Sequence, residues 1–312
     1  MTVFADFQTS SALDARRAEE SRERVFGTIR ELGLERHAWE LDSRGYTILT
    51  PAELADGGLC TRLVENVVAA ARRREQIAVD LSRGLGEPGR QMLFGRGLFL
   101  DRVLFEGPCF EQALLHRPML ALIRYLLGES CVLSHMSAML KGQGNEYLEL
   151  HTDQVGTPAP LPPYAQTANA TYVLTDYSPE LGSTCFVDAS QRLGRHPTTA
   201  EATDLALFRP IVAEAGSLIV WGGNLWHGAV PRRLPGLRVS LLLYFCRFYI
   251  TQADHRLRYD VTPEMLARNP QAFADLVGLA GRRPDDNALV EDSFAAVCPA
   301  TSHGATTMGQ FA

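Results

Sequence analysis

Two different rhythms of apolar and polar residues run along this chain. In the first third, composition and spacing are helical. Residues 13–33 (LDARRAEESRERVFGTIRELG) are rich in the good helix formers Ala, Arg and Glu. A second helix is predicted over 51–82: Thr50 is placed to cap it, Pro51 to take its first position and Glu53 its third, and LVENVVAAARRREQIAVDL continues with helical spacing. A third is predicted over 110–127 (FEQALLHRPMLALIRYLL), kinked at Pro118.

After Gly128 the rhythm changes. Short β-rich runs (CVLSHMSAML, EYLELHTD, NATYVLTDY, STCFVDA, GSLIVW and LRVSLLLYFCRFY) alternate with Gly, Pro and Asn breaks. Several short strands at this spacing predict an antiparallel sandwich or barrel. A Pro-rich loop, GTPAPLPPYAQ (156–166), follows one of them, residues 254–278 return to a helical pattern, and the tail SHGATTMGQFA is expected to be mobile. No linker composition separates helices from strands. The expectation is one domain over 1–312, with a helical part over about 1–127, a β-core over about 128–250 with helices outside it, and a C-terminal helical extension over about 251–312.

Composition narrows the function classes. The 312 residues are 46% hydrophobic and 21% charged, an ordinary globular mix, and a formal charge of −6 argues against a nucleic-acid partner, which needs a basic face. The most apolar stretch, Val239 to Cys246, is far short of the roughly 20 residues of a membrane helix. The first residues lack the basic-then-apolar order of a signal peptide, so a cytoplasmic protein is expected. Six scattered cysteines with no CxxC pair read as reduced, mostly buried thiols.

Three segments carry candidate chemistry. In YLELHTD (147–153), strand alternation puts Tyr147, Glu149, His151 and Asp153 on one face and Leu148 and Leu150 on the other. An imidazole and a carboxylate two apart can take adjacent corners of one metal, although the spacing alone fits Glu149 as well as Asp153. In GSLIVWGGNLWHGA (216–229), a strand runs into the Gly222-Gly223 break, and His227 follows beside Trp226, with Gly228 allowing a close backbone approach. In LRVSLLLYF (237–245), Leu237, Val239, Leu241 and Leu243 share one face while Arg238, Ser240, Leu242 and Tyr244 share the other. An arginine and a serine inside an apolar strand call for an internal acid, a solvated strand end, or a ligand carboxylate held by the guanidinium fork. Two histidines and a carboxylate are the ligand set of a facial Fe(II) site with open positions, and Arg-x-Ser shortly afterwards would anchor a dicarboxylic cosubstrate. The remaining histidines sit at no ligand-like spacing: most read as surface residues, and His135 as core.

In this combination the chain resembles the phytanoyl-CoA dioxygenase family of Fe(II)/2-oxoglutarate oxygenases, over roughly residues 40–250 and best from His135 to Phe245. The family's HxD falls on His151-Thr152-Asp153, which favours Asp153 over Glu149. Its distal histidine falls on His227 and its cosubstrate arginine on Arg238, with Ser240 completing Arg-x-Ser. Asn169 falls where the family places a residue beside the cosubstrate, and Arg102 and Ser137 fall near other such positions. Two departures bear on the substrate: Asp188-Ala189-Ser190-Gln191 replaces the family's Pro-Gly-Ser-His turn, and Asn169 stands where an aromatic is common.

The resemblance implies a double-stranded β-helix (jelly-roll, cupin-like) with helices packed outside. It also implies Fe(II) as cofactor, 2-oxoglutarate and O₂ as cosubstrates, and succinate and CO₂ as products, with hydroxylation of a small organic molecule as the default outcome. A carboxylate at Asp153 argues against halogenation, because related halogenases leave that position empty for chloride. Gln154, Tyr164 and Trp226 are candidate substrate contacts by adjacency, and the apolar flavour of these segments leans toward a lipophilic natural product. Two rival readings are a cupin-type metalloenzyme that does not use 2-oxoglutarate, against which Arg238 and Ser240 count, and a non-catalytic jelly-roll binding protein.

Overall fold

The computed structural model describes residues 19–55, 57–86, 97–144 and 146–279. Positions 13–18 of the first predicted helix, the tail, Cys298 and His303 lie outside the described residues. The chain enters in a helix over residues 19–31 (α1), followed by α2 (Glu35–Arg44) and a strand, β1 (Tyr46–Leu49). The predicted 51–82 helix starts as expected: the Thr50 side chain accepts from the Glu53 N–H while the Glu53 carboxylate accepts from the Thr50 N–H. It is then interrupted. α3 (Pro51–Leu54) ends where Ala55, Gly57 and Gly58 turn left-handed, α4 (Leu59–Glu75) resumes, and the final residues form a hairpin of β2 (Val79–Asp80) and β3 (Gly84–Leu85). β4 (Leu98–Asp101) follows. The third predicted helix is two, α5 (Pro108–Leu114) and α6 (Arg117–Leu127). Pro118 sits in the first turn of α6, where its missing N–H has no helical partner to lose, so it opens a helix instead of kinking one.

The strands continue with β5 (Val132–Lys141), β6 (Leu148–His151), β7 (Thr167–Val173) and β8 (Thr184–Phe186). After α7 (Thr199–Thr203) come β9 (Arg209–Pro210), β10 (Leu218–Gly222), β11 (His227–Ala229) and β12 (Arg238–Cys246). The predicted helical stretch 254–278 is three short helices, α8 (Leu257–Asp260), α9 (Pro263–Arg268) and α10 (Gln271–Ala274). Among the described residues, two larger antiparallel sheets stand beside the β2-β3 hairpin, one in the order β1-β10-β7-β12-β5-β4 and one in the order β6-β11-β8-β9. β1 and β4 are thus edge strands supplied by the segment read as helical. At four residues each, YTIL and LFLD are too short to display a period of two.

Alternation along the large sheet separates two kinds of surface. Met136, Ala138 and Leu140 of β5, Val239, Leu241 and Leu243 of β12, and Ala170 and Tyr172 of β7 pack in the largest core cluster with Leu63 and Val67 of α4, Phe110 of α5 and Ile123 of α6. The opposite face turns toward the small sheet. There Tyr46 stacks on Phe186 with ring centroids 4.3 Å apart, and Phe186 meets Trp221 edge-on at 5.4 Å. Strand register lays the inner residues out in rows across the large sheet. One row reads His135, Tyr244, Asn169, Trp221, Tyr46, the next holds Ser137, Leu242, Thr171 and Ile219, and the far end pairs Lys141 with Arg238. The polar residues of β5, β7 and β12 therefore line the interior between the sheets. No helix among the described residues is long and apolar enough to cross a membrane.

Candidate metal centre

His151 ends β6 and His227 begins β11, and the antiparallel register sets them directly opposite each other, with ring centroids 4.3 Å apart. Asp153 lies just beyond the strand end and turns back between them. Its Oδ1 is 3.7 Å from His151 Nε2 and its Oδ2 is 3.2 Å from His227 Nε2. Among the described residues, these three form the group of metal-capable side chains whose ligand atoms lie within 4.8 Å of one another. Both imidazoles are oriented by backbone carbonyls: His151 Nδ1 donates to Glu149 O at 2.8 Å and His227 Nδ1 to Leu225 O at 3.0 Å, which leaves the Nε2 lone pairs facing the carboxylate. Glu149, the alternative that spacing left open, is not part of the group.

Two glycines make this arrangement possible. A Cβ on Gly228 would collide with the Leu148 carbonyl oxygen, so β11 can lie beside β6 only if that position is bare. A Cβ on Gly223 would collide with the Thr167 side chain. Held there, Gly223 donates to Thr167 O and accepts the Asp153 N–H, each at 2.7 Å. Asp153 is fixed further by Asn169, whose amide donates to Oδ2 at 2.6 Å, and by Tyr244, whose hydroxyl donates to the Asp153 carbonyl at 2.8 Å. From sequence Gly223 reads only as part of the Gly222-Gly223 break, and Tyr244 only as sharing a face of β12 with Arg238 and Ser240.

The electrostatics suit a cation. Burial would raise the Asp153 carboxyl, but the His227 and His151 imidazoles and the Asn169 amide outweigh it and hold it at about 2. For His227, burial acts to lower the pKa and Asp153 acts to raise it, and the net direction is up. Asp153 is therefore charged and ready to bind, while protons compete for His227. Two neutral imidazoles and one carboxylate converging from one side fit a facial Fe(II) site.

Arg238 is 6% exposed and Ser240 fully buried at the far end of β12. Arg238 Nη1 donates to Gly182 O at 2.7 Å and the guanidinium lies 5.0 Å from the Tyr177 ring centroid, but its Nε and the Ser240 hydroxyl have no hydrogen-bond partner among the described residues. Beside it, Lys141 is also buried and donates to Val230 O, three residues beyond His227. A buried guanidinium with open donor capacity next to a hydroxyl is suited to a carboxylate.

The other sequence-derived candidates fare differently. Arg102 does not join the centre: it is paired with Asp254 at 2.8 Å and with Asp260, two carboxylates of the C-terminal segment. Trp226 is buried, its indole N–H donating to Arg195 O at 2.9 Å, so it backs the site as packing and offers no free face to a substrate. Tyr164 borders a 960 Å³ cavity between α1, α6 and the Pro-rich loop, which none of the three metal-capable residues lines. Gln154 is buried beside Asp153. Ser137 is buried on the inner face of β5. His135, read as core, is half-buried on the same strand and bonds Asp101. His37, one of the histidines at no ligand-like spacing of which most read as surface residues, is buried and bonds Thr47 at 2.7 Å. None of the five described cysteines forms a disulfide among the described residues.

The model of the phytanoyl-CoA dioxygenase family matches residues 59–239, more than half of the chain. The dioxygenase af480 of Aspergillus fumigatus is 35% identical over 112 residues, a stretch that spans 35% of each protein. HygX of Streptomyces hygroscopicus, solved with nickel and 2-oxoglutarate bound, superposes with a TM-score of 0.55 at 15% identity, over 70% of this chain and 88% of its own. SnoK, a non-haem α-ketoglutarate-dependent carbocyclase of nogalamycin biosynthesis, does so with 0.54 at 13% identity, over 75% and 90%. The expected double-stranded β-helix fold is therefore borne out, and by the extent of the family match this chain belongs to the phytanoyl-CoA dioxygenase family.

Proposed function

We propose that this protein is an Fe(II)/2-oxoglutarate-dependent dioxygenase that oxidises, most simply by hydroxylation, a small organic substrate. The observation that carries the proposal is the convergence of His151 Nε2, His227 Nε2 and the Asp153 carboxylate, in a fold whose interior also holds the under-bonded Arg238 and Ser240. Iron and 2-oxoglutarate, when bound, supply the oxidising chemistry, consuming O₂ and releasing succinate and CO₂. The chain's own residues bind and orient. His151 and His227 present Nε2 because their Nδ1 protons are committed to carbonyls. Asp153 supplies the anionic ligand and Asn169 fixes its Oδ2. Arg238 and Ser240 hold the distal carboxylate of the cosubstrate by charge-assisted hydrogen bonds. Phe186 and Trp221, packed near His227, keep water from that side of the metal. Of the candidate substrate contacts, Gln154 lies beside Asp153, whereas Tyr164 borders a cavity that none of the three proposed ligands lines.

The test is succinate formation from 2-oxoglutarate by purified protein supplied with Fe(II), ascorbate and O₂. Succinate is expected in proportion to O₂ consumed. Absence of succinate, with Fe(II) bound, would favour a cupin-type enzyme that needs no 2-oxoglutarate; the open donors of Arg238 and Ser240 speak against that reading.

A further inference from the structure

His196 sits at no ligand-like spacing in the sequence, yet both of its ring nitrogens are engaged with the segment that carries two of the proposed ligands. Its Nε2 lies 2.8 Å from the Thr157 carbonyl oxygen and its Nδ1 lies 2.6 Å from Thr152 Oγ1. A carbonyl can only accept, so Nε2 carries the proton. The neutral ring then turns its Nδ1 lone pair to the Thr152 hydroxyl, which donates. Thr152 is buried and separates His151 from Asp153, and Thr157 belongs to the Pro-rich loop that follows them. The two residues before His196 reach the remaining parts of the site. The Arg195 carbonyl accepts the indole N–H of Trp226, the neighbour of His227, at 2.9 Å, and the Gly194 carbonyl accepts the Leu161 N–H of the Pro-rich loop at 2.7 Å. This stretch is anchored in turn: Arg195 forks onto Glu201 at 2.7 and 2.8 Å, and Glu201 closes the capping box of α7 with Thr198.

We infer that His196 is a positioning residue of the metal centre: through the Thr152 hydroxyl it holds the turn that sets the Asp153 carboxylate beside His151. The inference rests on the metal-centre reading and adds to it a residue that is not itself a ligand. Asp153 is held on its other side by the Gly223 carbonyl and the Tyr244 hydroxyl. Between His151 and Asp153 the one intervening side chain is Thr152, and among the described residues His196 is the partner of its hydroxyl. Removing His196 leaves that hydroxyl buried and unpaired, so the turn must shift to satisfy it. Groups that orient ligands from behind govern metal affinity by about 10–100-fold. His196 acts through the backbone on either side of Thr152, so the lower end of that range applies.

The test is anaerobic Fe(II) titration of His196→Leu, His196→Gln, Thr152→Val and Thr152→Ser, with the melting temperature of each metal-free protein measured alongside. Leucine deletes both ring bonds, whereas glutamine can still accept from Thr152 and donate to the Thr157 carbonyl. Valine keeps the shape of Thr152 without its hydroxyl, and serine keeps the hydroxyl. Fe(II) affinity is expected to fall about tenfold in His196→Leu and in Thr152→Val, and to be largely restored in His196→Gln and Thr152→Ser. The two losses should not add in the double variant, because both delete the same bond. Wild-type affinity in His196→Leu and Thr152→Val, whatever their melting temperatures, would make the bond one of packing alone and overturn the inference. So would an equal loss in Thr152→Val and Thr152→Ser, since the hydroxyl would then be irrelevant. If His196→Leu does not fold, the two Thr152 variants decide. A wild-type protein that binds no Fe(II) would refute the metal-centre reading and this inference with it, whereas normal wild-type binding with unchanged variants would refute the inference alone.

Discussion

Asn169 donates its side-chain amide to Asp153 Oδ2 at 2.6 Å, and the same oxygen lies 3.2 Å from His227 Nε2. One carboxylate oxygen is thereby fixed between an amide on the large sheet and an imidazole on the small one. Asn169 acts through Asp153, so its loss should loosen the metal without dismantling the fold. Asn169→Leu is expected to weaken Fe(II) binding by about 10–100-fold. Anaerobic Fe(II) titration alongside a thermal melt checks this; unchanged affinity would remove Asn169 from the centre.

Gly228 is where β11 passes against the backbone of β6, and a methyl group there would strike the Leu148 carbonyl. Gly228→Ala is therefore expected to push β11 outward and carry His227 away from His151. Fe(II) affinity should fall by at least about tenfold, the scale on which even indirect perturbation of ligands acts. A variant that binds iron normally would mean that the strand pair has slack at this point.

At the far end of β12, Arg238→Ala should raise the KM for 2-oxoglutarate by roughly 10–100-fold, the value of a charge-assisted hydrogen bond or two. Ser240→Ala should raise it less, because a neutral hydroxyl contributes about 1 kcal/mol. Succinate formation as a function of 2-oxoglutarate concentration separates the two. Equal KM values in wild type and Arg238→Ala would assign the anchor elsewhere, with buried Lys141 the next group to test.

The His227–Asp153 pair sets a pH dependence in the metal-free protein. Asp153, held at about 2, contributes stability that is present above its unfolded pKa of about 3.9 and is lost as pH falls through about 2. His227, raised by Asp153 against the effect of burial, contributes stability that is complete below about 6.5 and is lost as pH rises through its folded value. Metal must displace the His227 proton, so Fe(II) should bind more tightly at about pH 8 than at about pH 6. Titrations at both values check the sign, and weaker binding at the higher pH would contradict it.

Strand periodicity put His151 on one face with both Glu149 and Asp153, and the resemblance to the family singled out Asp153, which the fold sets beside His151 and His227. Arg238 and Ser240 interrupt an apolar strand on alternate positions, and His151 and Asp153 follow a run that alternates cleanly. Other features were not legible, for physical reasons. β1 and β4 are four residues long, so edge strands of the main sheet could hide inside segments of helical composition. The break at Ala55, Gly57 and Gly58 is signalled by the Gly57-Gly58 pair, but the helical spacing on both sides hides it. Trp226, adjacent to a metal-capable histidine, could equally have faced a substrate; only the fold shows its indole N–H spent on Arg195 O. Arg102 aligns near the cosubstrate in sequence, yet it pairs with Asp254 and Asp260, more than 150 positions later in the chain.

The most direct check on the whole account is anaerobic Fe(II) binding to the wild-type protein and to His151→Ala, Asp153→Ala and His227→Ala. One iron per wild-type chain is expected, with stoichiometric binding lost in each of the three variants. Undiminished iron binding in any one of them would remove that residue from the metal centre and break the geometry on which the proposed chemistry stands.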